Sequence, residues 1–299
     1  MPPTGKAPAF QAGLCRTEKK MRFQFLGTAA AEAIPARFCE CPVCRVAREK
    51  KGKEIRRRAS YLIDDDILVD FGPDSFFQQI AFGIDDLKIR RIIFTHPHID
   101  HLLPDEIYWR LGPSYSQVSQ EIAIYGGHRV FAAIFGLANR NAGPVSAEDL
   151  HIRPVVLQAG TPVVEDDFEL LPMAADHMPG GTAMLYSLTR GGRKVLILND
   201  TGWPPEETWQ LLAGQGADMA AVDSTCALRF PGNRNGHLGA AAVKELVAKL
   251  KEIGAVKPDA RIFATHFSHN GGANHDELVH CYEPSGIAVA YDGLTVTLP

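Results

Sequence analysis

Short apolar runs, separated by polar and glycine-rich segments, divide the chain into predicted strands and helices. Met21–Leu26 alternates apolar and polar residues and ends at Gly27, which is the pattern of a half-buried strand. The apolar run Ile92-Ile93-Phe94 lies within a second predicted strand, Ile89–Thr95. Further strands are predicted at Tyr61–Ile63, Glu121–Tyr125 and Met219–Val222, and helices at Pro73–Phe82, Pro104–Leu111, Val130–Leu137 and Ala240–Lys251. Strands and helices alternate without a Gly/Ser-rich linker, so the sequence predicts one domain over residues 21–299.

Composition and charge narrow the class of protein. The 299 residues are 45% hydrophobic and 22% charged, which is typical of a globular domain that buries about three quarters of its unfolded surface. Residues 1–20 are rich in proline and glycine and contain no signal-peptide core, so we expect a flexible tail. The net charge of −4 provides no basic field for nucleic acid or anionic membranes. Since no apolar run approaches the ~20 residues of a membrane span, we expect a cytoplasmic protein.

Four side chains of metal-ligand type lie within six residues in Thr95-His96-Pro97-His98-Ile99-Asp100-His101, directly after a predicted strand. A tight turn there could direct the first two histidines to one ion and the Asp-His pair to a second. These ligands suit zinc, manganese or iron, and two such ions about 3.5–4 Å apart can hold a bridging hydroxide that attacks phosphorus or a carbonyl carbon. Four solvated loop residues are the alternative. The density of ligands favours a metal site and hydrolytic chemistry.

The motif His96-x-His98-x-Asp100-His101 after an apolar strand resembles the signature of the metallo-β-lactamase superfamily. The resemblance implies an α/β fold, the αββα sandwich of that superfamily, built from two similar halves. It leaves the reaction open, because the same scaffold serves lactamases, thioesterases, nucleases, phosphodiesterases and some oxidoreductases.

Three downstream residues at predicted strand ends resemble the remaining ligands of the superfamily. His177 would complete the first ion's site, His266 would complete the second, and Asp200 would bridge the two ions. The full set of metal ligands implied by the resemblance is His96, His98, Asp100, His101, His177, Asp200 and His266. Asp70, at the end of another predicted strand, resembles the aspartate that hydrogen-bonds the metal loop and fixes its geometry, although a turn aspartate would look similar.

Six cysteines are present, and three of them, Cys39, Cys41 and Cys44, lie within six residues. This crowding favours a zinc site over disulfides, because thiolates at such spacing readily bind one ion and a reducing cytosol disfavours disulfides. Tetrahedral zinc needs a fourth ligand, for which His269 is the candidate, although it could be a surface histidine. This combination is similar to the PhnP-like phosphoribosyl cyclic phosphodiesterase branch of the superfamily, which contains a structural zinc.

His237 lies in the glycine-flanked segment Asn235-Gly236-His237-Leu238-Gly239, where the chain enters a predicted helix. The same branch has a histidine in this region, and the resemblance implies that His237 is a general acid. An imidazolium that protonates a departing alkoxide accelerates phosphodiester cleavage by about 10²–10⁴-fold. A helix N-terminal histidine without a catalytic role is the alternative. Asp223-Ser224-Thr225 would line the same pocket in a role left open, and the histidines expected at the surface are His128, His151, His275 and His280.

The sequence therefore predicts a metal-dependent hydrolase acting on a small phosphodiester, such as a cyclic sugar or nucleotide phosphate. The expected cofactors are two divalent ions (zinc, manganese or iron) and one structural zinc, and the expected catalytic residues are His237, Asp100 and Asp200. A nuclease is one alternative, which the acidic net charge disfavours. An oxidoreductase of the quinone-cofactor biosynthesis type and a non-catalytic metal-binding scaffold are two others. Association into homodimers is left open.

Overall fold

A computed structural model of the protein describes residues 20–178, 180 and 182–299. The predicted flexible tail, residues 1–20, lies outside this range except for Lys20, so the tail and the domain boundary stay predictions. The first strand starts at Met21, where the alternating pattern starts. None of the described helices is long and apolar enough to cross a membrane.

The described residues form strands and helices in alternation. The fourteen strands in this part of the chain are β1 (Met21–Gly27), β2 (Ser60–Ile63), β3 (Ile67–Val69), β4 (Arg91–Ile93), β5 (Ile122–Gly126), β6 (Ile152–Val156), β7 (Val163–Val164), β8 (Phe168–Ala174), β9 (Met184–Arg190), β10 (Arg193–Leu198), β11 (Ala217–Asp223), β12 (Val256–Thr265), β13 (Ile287–Val289) and β14 (Thr295–Leu298). The seven α-helices of the same residues are α1 (Pro42–Lys50), α2 (Ser75–Phe82), α3 (Pro104–Tyr108), α4 (His128–Ala142), α5 (Glu206–Leu212), α6 (Ala240–Glu252) and α7 (His275–Tyr282).

The strands form two seven-stranded sheets with the same internal pattern. The strand order is β14-β1-β2-β3-β4-β5-β6 in the first sheet and β13-β12-β11-β10-β9-β8-β7 in the second. In the first sheet, β1 to β3 pair antiparallel and β3 to β6 pair parallel. In the second sheet, β7 to β10 pair antiparallel and β10 to β13 pair parallel. The molecule is thus built from two similar halves, with β14 added beside β1.

Side-chain alternation along these strands produces three apolar layers, because successive residues of a strand point to opposite faces of the sheet. The layer between the sheets includes Phe23, Tyr61, Ile93, Val195, Ile197 and Phe263. On the outer face of the first sheet, Ile92 and Ile124 pack in one cluster with Ile134 of α4. On the outer face of the second sheet, Leu196 shares a cluster with Val243 of α6. The order helix, sheet, sheet, helix confirms the predicted αββα sandwich.

The same strand directions determine where the predicted site residues meet. Ligands of α/β sheets bind outside the carboxyl ends of the parallel strands, where the loops converge. Asp70 follows β3, the segment 96–101 follows β4, and His177 follows β8. Asp200 and His266 follow β10 and β12. Each predicted ligand therefore lies in a loop at a strand end, and these loops gather at one edge of the sandwich.

One expectation about the surface histidines is wrong. His128 and His280 are exposed as expected, but His275 is buried, with 7% of its surface exposed. Its Nδ1 lies 2.9 Å from a guanidinium nitrogen of Arg56, which is itself buried. The two residues are 219 positions apart, so the local pattern around His275 contains no sign of this contact.

We expect Phe25→Ala to lower the free energy of unfolding by about 3–5 kcal/mol, the usual cost of removing a buried aromatic ring. The Phe25 ring is fully buried and lies 5.1 Å from the Phe23 ring and 5.4 Å, across the two sheets, from the Phe263 ring. Phe38, 98% exposed, provides the matched control. Urea denaturation should show a lower midpoint for Phe25→Ala and an unchanged midpoint for Phe38→Ala. Equal shifts would contradict the assignment of this layer as the main core.

Candidate metal centre

The segment 96–101 forms a tight turn after β4, packed against the loop that follows β3. Phe71 N donates a hydrogen bond to His101 O at 2.8 Å and thereby joins the two loops. Gly72 permits this close approach, because a Cβ at that position would overlap the carbonyl oxygen of Asp100. The turn is therefore held in place by main-chain contacts that depend on a glycine in the neighbouring loop.

The structure brings the seven predicted ligands together in two groups that share Asp200. The first group consists of His96, His98, His177 and Asp200, and the second of Asp100, His101, His266 and Asp200. Within each group the candidate ligand atoms lie within 4.8 Å of one another. Asp200 Oδ2 is 3.2 Å from His96 Nε2 and 3.0 Å from His101 Nε2. One carboxylate thus contacts both groups, which is the placement expected of a bridging ligand.

The donor atoms of the centre fit divalent cations. His98 Nδ1 lies 2.8 Å from His96 Nε2 and 3.2 Å from His177 Nε2, so three imidazole nitrogens converge on one point. Three buried atoms that belong to the candidate ligands make no hydrogen bond of good geometry to the described residues: His101 Nε2, His266 Nε2 and Asp200 Oδ1. Buried polar atoms without partners are costly, and imidazole with carboxylate is a donor set for zinc, manganese or iron. These residues fit the pair of ions predicted from the sequence.

Asp70 supports the turn through three contacts. Its carboxylate accepts hydrogen bonds from Thr95 N at 2.8 Å and Thr95 Oγ1 at 2.9 Å, and Oδ2 lies 2.6 Å from His101 Nδ1. With Nδ1 engaged by Asp70, His101 turns Nε2 toward Asp200. Burial opposes a positive charge on His101, but the carboxylates of Asp70 and Asp100 outweigh burial and raise its pKa. These contacts are those expected of the aspartate that fixes the metal loop.

Three residues of the centre adopt a backbone conformation that is uncommon for residues other than glycine. Asp70, Asp200 and His266 have φ values of 60°, 58° and 60° and directly follow or lie close to the ends of strands. Positive φ in a non-glycine residue costs free energy and is retained where the surrounding structure requires it, often at functional sites. At these three positions the positive φ bends the backbone away from the strand direction and directs the side chain toward the centre.

Asp223, at the end of β11, has a partner that sequence reasoning did not identify. Its fully buried carboxylate accepts a hydrogen bond from Leu238 N at 2.8 Å. Its Oδ2 lies 3.2 Å from His237 Nδ1 and 3.4 Å from His266 Nδ1. An aspartate at the end of an apolar strand was the available signal, as it was for Asp200. The pairing with His237 depends on how the chain enters α6, which spacing does not reveal.

His237 lies between two carboxylates at the side of the centre. Its Nδ1 is 3.3 Å from Asp200 Oδ1 as well as 3.2 Å from Asp223 Oδ2. Burial lowers the pKa of His237, but the negative charges of Asp223 and Asp200 outweigh burial and raise the pKa to about 9. With His266, these residues form a third group whose candidate ligand atoms lie within 4.8 Å. The geometry therefore suits His237 either as a proton donor or as a metal ligand.

A cavity of about 370 Å³ opens over the centre and gives it access to solvent. Its lining includes the predicted site residues His98, Asp100, His177, Asp200, His237 and His266. The exposed lining residues Glu32, Phe230 and Asn270 form its rim, and the buried Ser268 also lines it. A volume of this size is at the low end of the range for small-molecule sites, which is about 300–1,000 Å³. The site is thus open to a small ligand.

The three clustered cysteines meet His269 outside the lining of this cavity. Cys39 Sγ and Cys41 Sγ each lie 3.5 Å from His269 Nδ1, and the four candidate ligand atoms lie within 4.8 Å of one another. Ala36 N donates to Cys44 Sγ at 3.3 Å, a contact typical of metal-bound sulfur. Burial, together with the neighbouring sulfurs, raises the pKa of the Cys44 thiol to about 12. Three sulfurs and one imidazole are the donor set of a structural zinc site.

Several solved structures are similar to this chain. A diphosphatase of the PhnP family is 21% identical, with a TM-score of 0.72 over 94% of this chain and 98% of its own. Zinc-bound PqqB from Methylobacterium extorquens is 18% identical, with a TM-score of 0.72 over 93% of this chain and 100% of its own. The short form of human tRNase Z is 19% identical, with a TM-score of 0.62 over 93% of this chain and 99% of its own. At such identities the likeness shows a shared fold.

The family assignment depends on a match in sequence as well as fold. A search of curated proteins gave no match. The model of the metallo-beta-lactamase superfamily matches residues 56–266, which include the turn at 96–101 and the strand ends with His177, Asp200 and His266. This match covers more than half of the chain, and the αββα sandwich agrees with it. The protein belongs to the metallo-β-lactamase superfamily, as the motif of its metal turn indicated.

Proposed function

We propose that the protein is a metal-dependent phosphoric diester hydrolase that acts on a small phosphodiester. The observation that supports this most directly is the position of Asp200. It lies between two groups of candidate metal ligands and 3.3 Å from His237, a histidine available for proton transfer. A paired metal site beside a proton donor, in a cavity of about 370 Å³, suits the cleavage of a small diester.

Each part of the centre has a distinct task in this proposal. One divalent ion would be held by His96, His98 and His177. A second would be held by Asp100, His101 and His266, and Asp200 would contact both ions. When bound, such ions acidify a water molecule and neutralise the charge that develops on phosphoryl oxygens. Asp70 keeps the turn fixed through its hydrogen bonds to Thr95 and His101.

The proton steps fall to this chain's own residues. Asp100 lines the cavity, where its carboxylate can accept a hydrogen bond from the attacking water. His237 also lines the cavity, and because Nδ1 is engaged by Asp223 at 3.2 Å, its Nε2 is the nitrogen available to a substrate. A protonated His237 would donate that proton to the departing alkoxide oxygen. Asp223 keeps the ring oriented and stabilises its positive charge.

The similar structures support phosphorus chemistry, since they include a diphosphatase of the PhnP family and a tRNase Z. Among phosphodiester substrates we favour a small one over RNA, because a chain with a net charge of −4 has no overall electrostatic attraction for a polynucleotide. The oxidoreductase alternative predicts oxygen consumption by the iron-loaded protein, whereas a hydrolase works with redox-silent ions. We further propose that Cys39, Cys41, Cys44 and His269 hold a structural zinc ion.

Asp200→Ala should abolish activity and reduce metal content. The variant removes the carboxylate shared by both groups, so kcat/KM for bis(p-nitrophenyl) phosphate should fall by about 10³-fold or more. Elemental analysis should show fewer ions per chain than in the wild type. Asp166→Ala, which removes an exposed aspartate, is the matched control and should retain both. Full metal content and turnover in Asp200→Ala would refute the shared-ligand assignment.

His237→Ala should keep its metal content and lose turnover by about 10²–10⁴-fold, the usual contribution of a general acid. The leaving group of a cyclic nucleotide is a sugar alkoxide, which needs a proton, whereas that of bis(p-nitrophenyl) phosphate is a p-nitrophenolate, which needs little protonation. The loss of turnover should therefore be larger for the cyclic nucleotide. Asp223→Asn should show the same dependence on leaving group to a smaller degree. Replacing the exposed His128 by alanine is the control. A lower metal content, together with equal losses of turnover on both substrates, would instead show that His237 is a metal ligand.

Cys44→Ser should cost about one metal equivalent per chain, because it removes one of four ligands of the structural site. The ions of the main centre should remain, and the melting temperature should fall, since structural zinc contributes to folding stability. Cys281→Ser, at a half-buried cysteine on α7, is the matched control and should leave metal content unchanged. Unchanged zinc in Cys44→Ser would show that the four residues hold no ion.

A further inference from the structure

The rim of the cavity contains two side chains for which the proposed reaction has no use. Glu32 and Phe230 both line the cavity, but neither belongs to a group of candidate metal ligands. Both are exposed, and 55% of the Phe230 surface is open to solvent. A carboxylate and an unburied aromatic ring at the mouth of a phosphodiesterase site point to recognition of the groups attached to phosphorus.

Glu32 is oriented by residues 267–271, which we name the strap. Asn270 Nδ2 donates to Glu32 Oε1 at 3.3 Å, and Ser268 Oγ donates to Glu32 Oε2 at 3.4 Å. All three side chains line the cavity. An ionised carboxylate has about four acceptor positions, so these two donors leave acceptor capacity for a ligand. Glu32 is therefore a positioned acceptor, suited to hydroxyl groups.

The loop that contains Phe230 is held by Gly271, the last residue of the strap. Leu228 N and Arg229 N both donate to Gly271 O, at 3.1 and 2.9 Å, so the loop with Phe230 is fastened to the strap. Phe230 N donates to Cys226 O at 3.3 Å, which closes a turn and presents the ring at the cavity. The strap thus fastens the acceptor and the aromatic ring to the same short segment.

We propose that the substrate is a phosphodiester of a ribonucleoside, in which Glu32 accepts hydrogen bonds from the sugar hydroxyls and Phe230 stacks on the base. This assignment rests on the proposed function. The two oxygens of a carboxylate can accept from adjacent hydroxyls, and stacking on an aromatic side chain tolerates any base. The negative charge of Glu32 would repel the flanking phosphates of a polynucleotide. The rim thereby selects a mononucleotide-sized diester.

Three p-nitrophenyl diesters with a common leaving group test this assignment. The ester of uridine 5′-phosphate has sugar hydroxyls and a base, the ester of 2′,3′-dideoxyuridine 5′-phosphate has only the base, and methyl p-nitrophenyl phosphate has neither. In the metal-loaded wild type, kcat/KM should favour the uridine ester over the dideoxy ester by about tenfold, as expected for hydrogen bonds to a charged group. Glu32→Gln should reduce this preference to about twofold, because it replaces the ionised acceptor with a neutral amide. The matched control Glu252→Gln, at an exposed glutamate of α6 outside the cavity lining, should keep the preference.

Phe230→Ala should change the ratio of kcat/KM between the nucleotide esters and the methyl ester. It should lower kcat/KM for both nucleotide esters, relative to the methyl ester, by about tenfold, since stacking of one base on an aromatic ring typically accounts for such a factor. The preference between the two nucleotide esters should persist. Phe38→Ala, at an exposed phenylalanine outside the cavity lining, is the control.

The outcomes separate this assignment from the proposed function. A wild type that hydrolyses all three esters without preferring uridine, or a preference that survives Glu32→Gln, would overturn the ribonucleoside assignment and leave phosphodiester hydrolysis intact. A metal-loaded wild type that hydrolyses none of them, the methyl ester included, would overturn the proposed function and this assignment with it.

Discussion

The charge of Asp200 is the constraint on which the centre depends. Its carboxylate is 3% exposed, and a buried carboxylate without compensation costs several kcal/mol. Burial alone would raise the pKa of Asp200, but the histidines around it, His266 and His101 foremost, reverse this and hold the pKa well below its usual value. Those imidazoles compensate the charge only when protonated, and protonated rings this close would repel one another. Divalent ions held between them would resolve both difficulties, because each ion would bind neutral imidazoles and offset the charge of the carboxylate.

The two similar halves explain how residues so distant in sequence reach this carboxylate. In each sheet, one strand marks the change from antiparallel to parallel pairing, β3 in the first and β10 in the second. Asp70 and Asp200 follow these equivalent strands, and both adopt φ near 60°. The same local conformation therefore serves two purposes. Asp70 contacts the turn at residues 96–101 and supports it, whereas Asp200 lies between the two groups of candidate ligands.

The sequence predicted most fully what is local or lies at a strand end. The turn at 96–101 is encoded within six residues, so its spacing alone indicated a metal site. Asp200 and His266 each end an apolar run, and the family resemblance supplied their order. The αββα layers followed from that resemblance, and the two-residue alternation along the strands accounts for them.

Contacts between distant segments could not be predicted in this way. Asp223 and His237 are 14 residues apart, and their pairing depends on the packing of the chain against β11 before α6. Glu32 and Asn270 are 238 residues apart and meet only because the strap lies beside the first loop of the other half. Such contacts depend on how distant elements pack against each other. The sequence around Glu32 or Asn270 does not distinguish either residue from a solvated polar residue.

The strap connects the two groups of metal-ligand type that otherwise appear independent. His266, a candidate ligand of the main centre, directly precedes it, and His269, which meets the cysteines, lies within it. Phe267 N donates to Thr28 O at 2.8 Å, and Ala30 N donates to Phe267 O at 3.0 Å, so the strap is also paired with the loop that leads to the cysteines. A metal bound by Cys39, Cys41, Cys44 and His269 would therefore fix both the loop and the strap. Because Ser268 and Asn270 flank His269 and orient Glu32, a metal bound by the cysteine group would also hold the side chains around Glu32 in place, at a distance along the chain from Asp200 and its ligand groups.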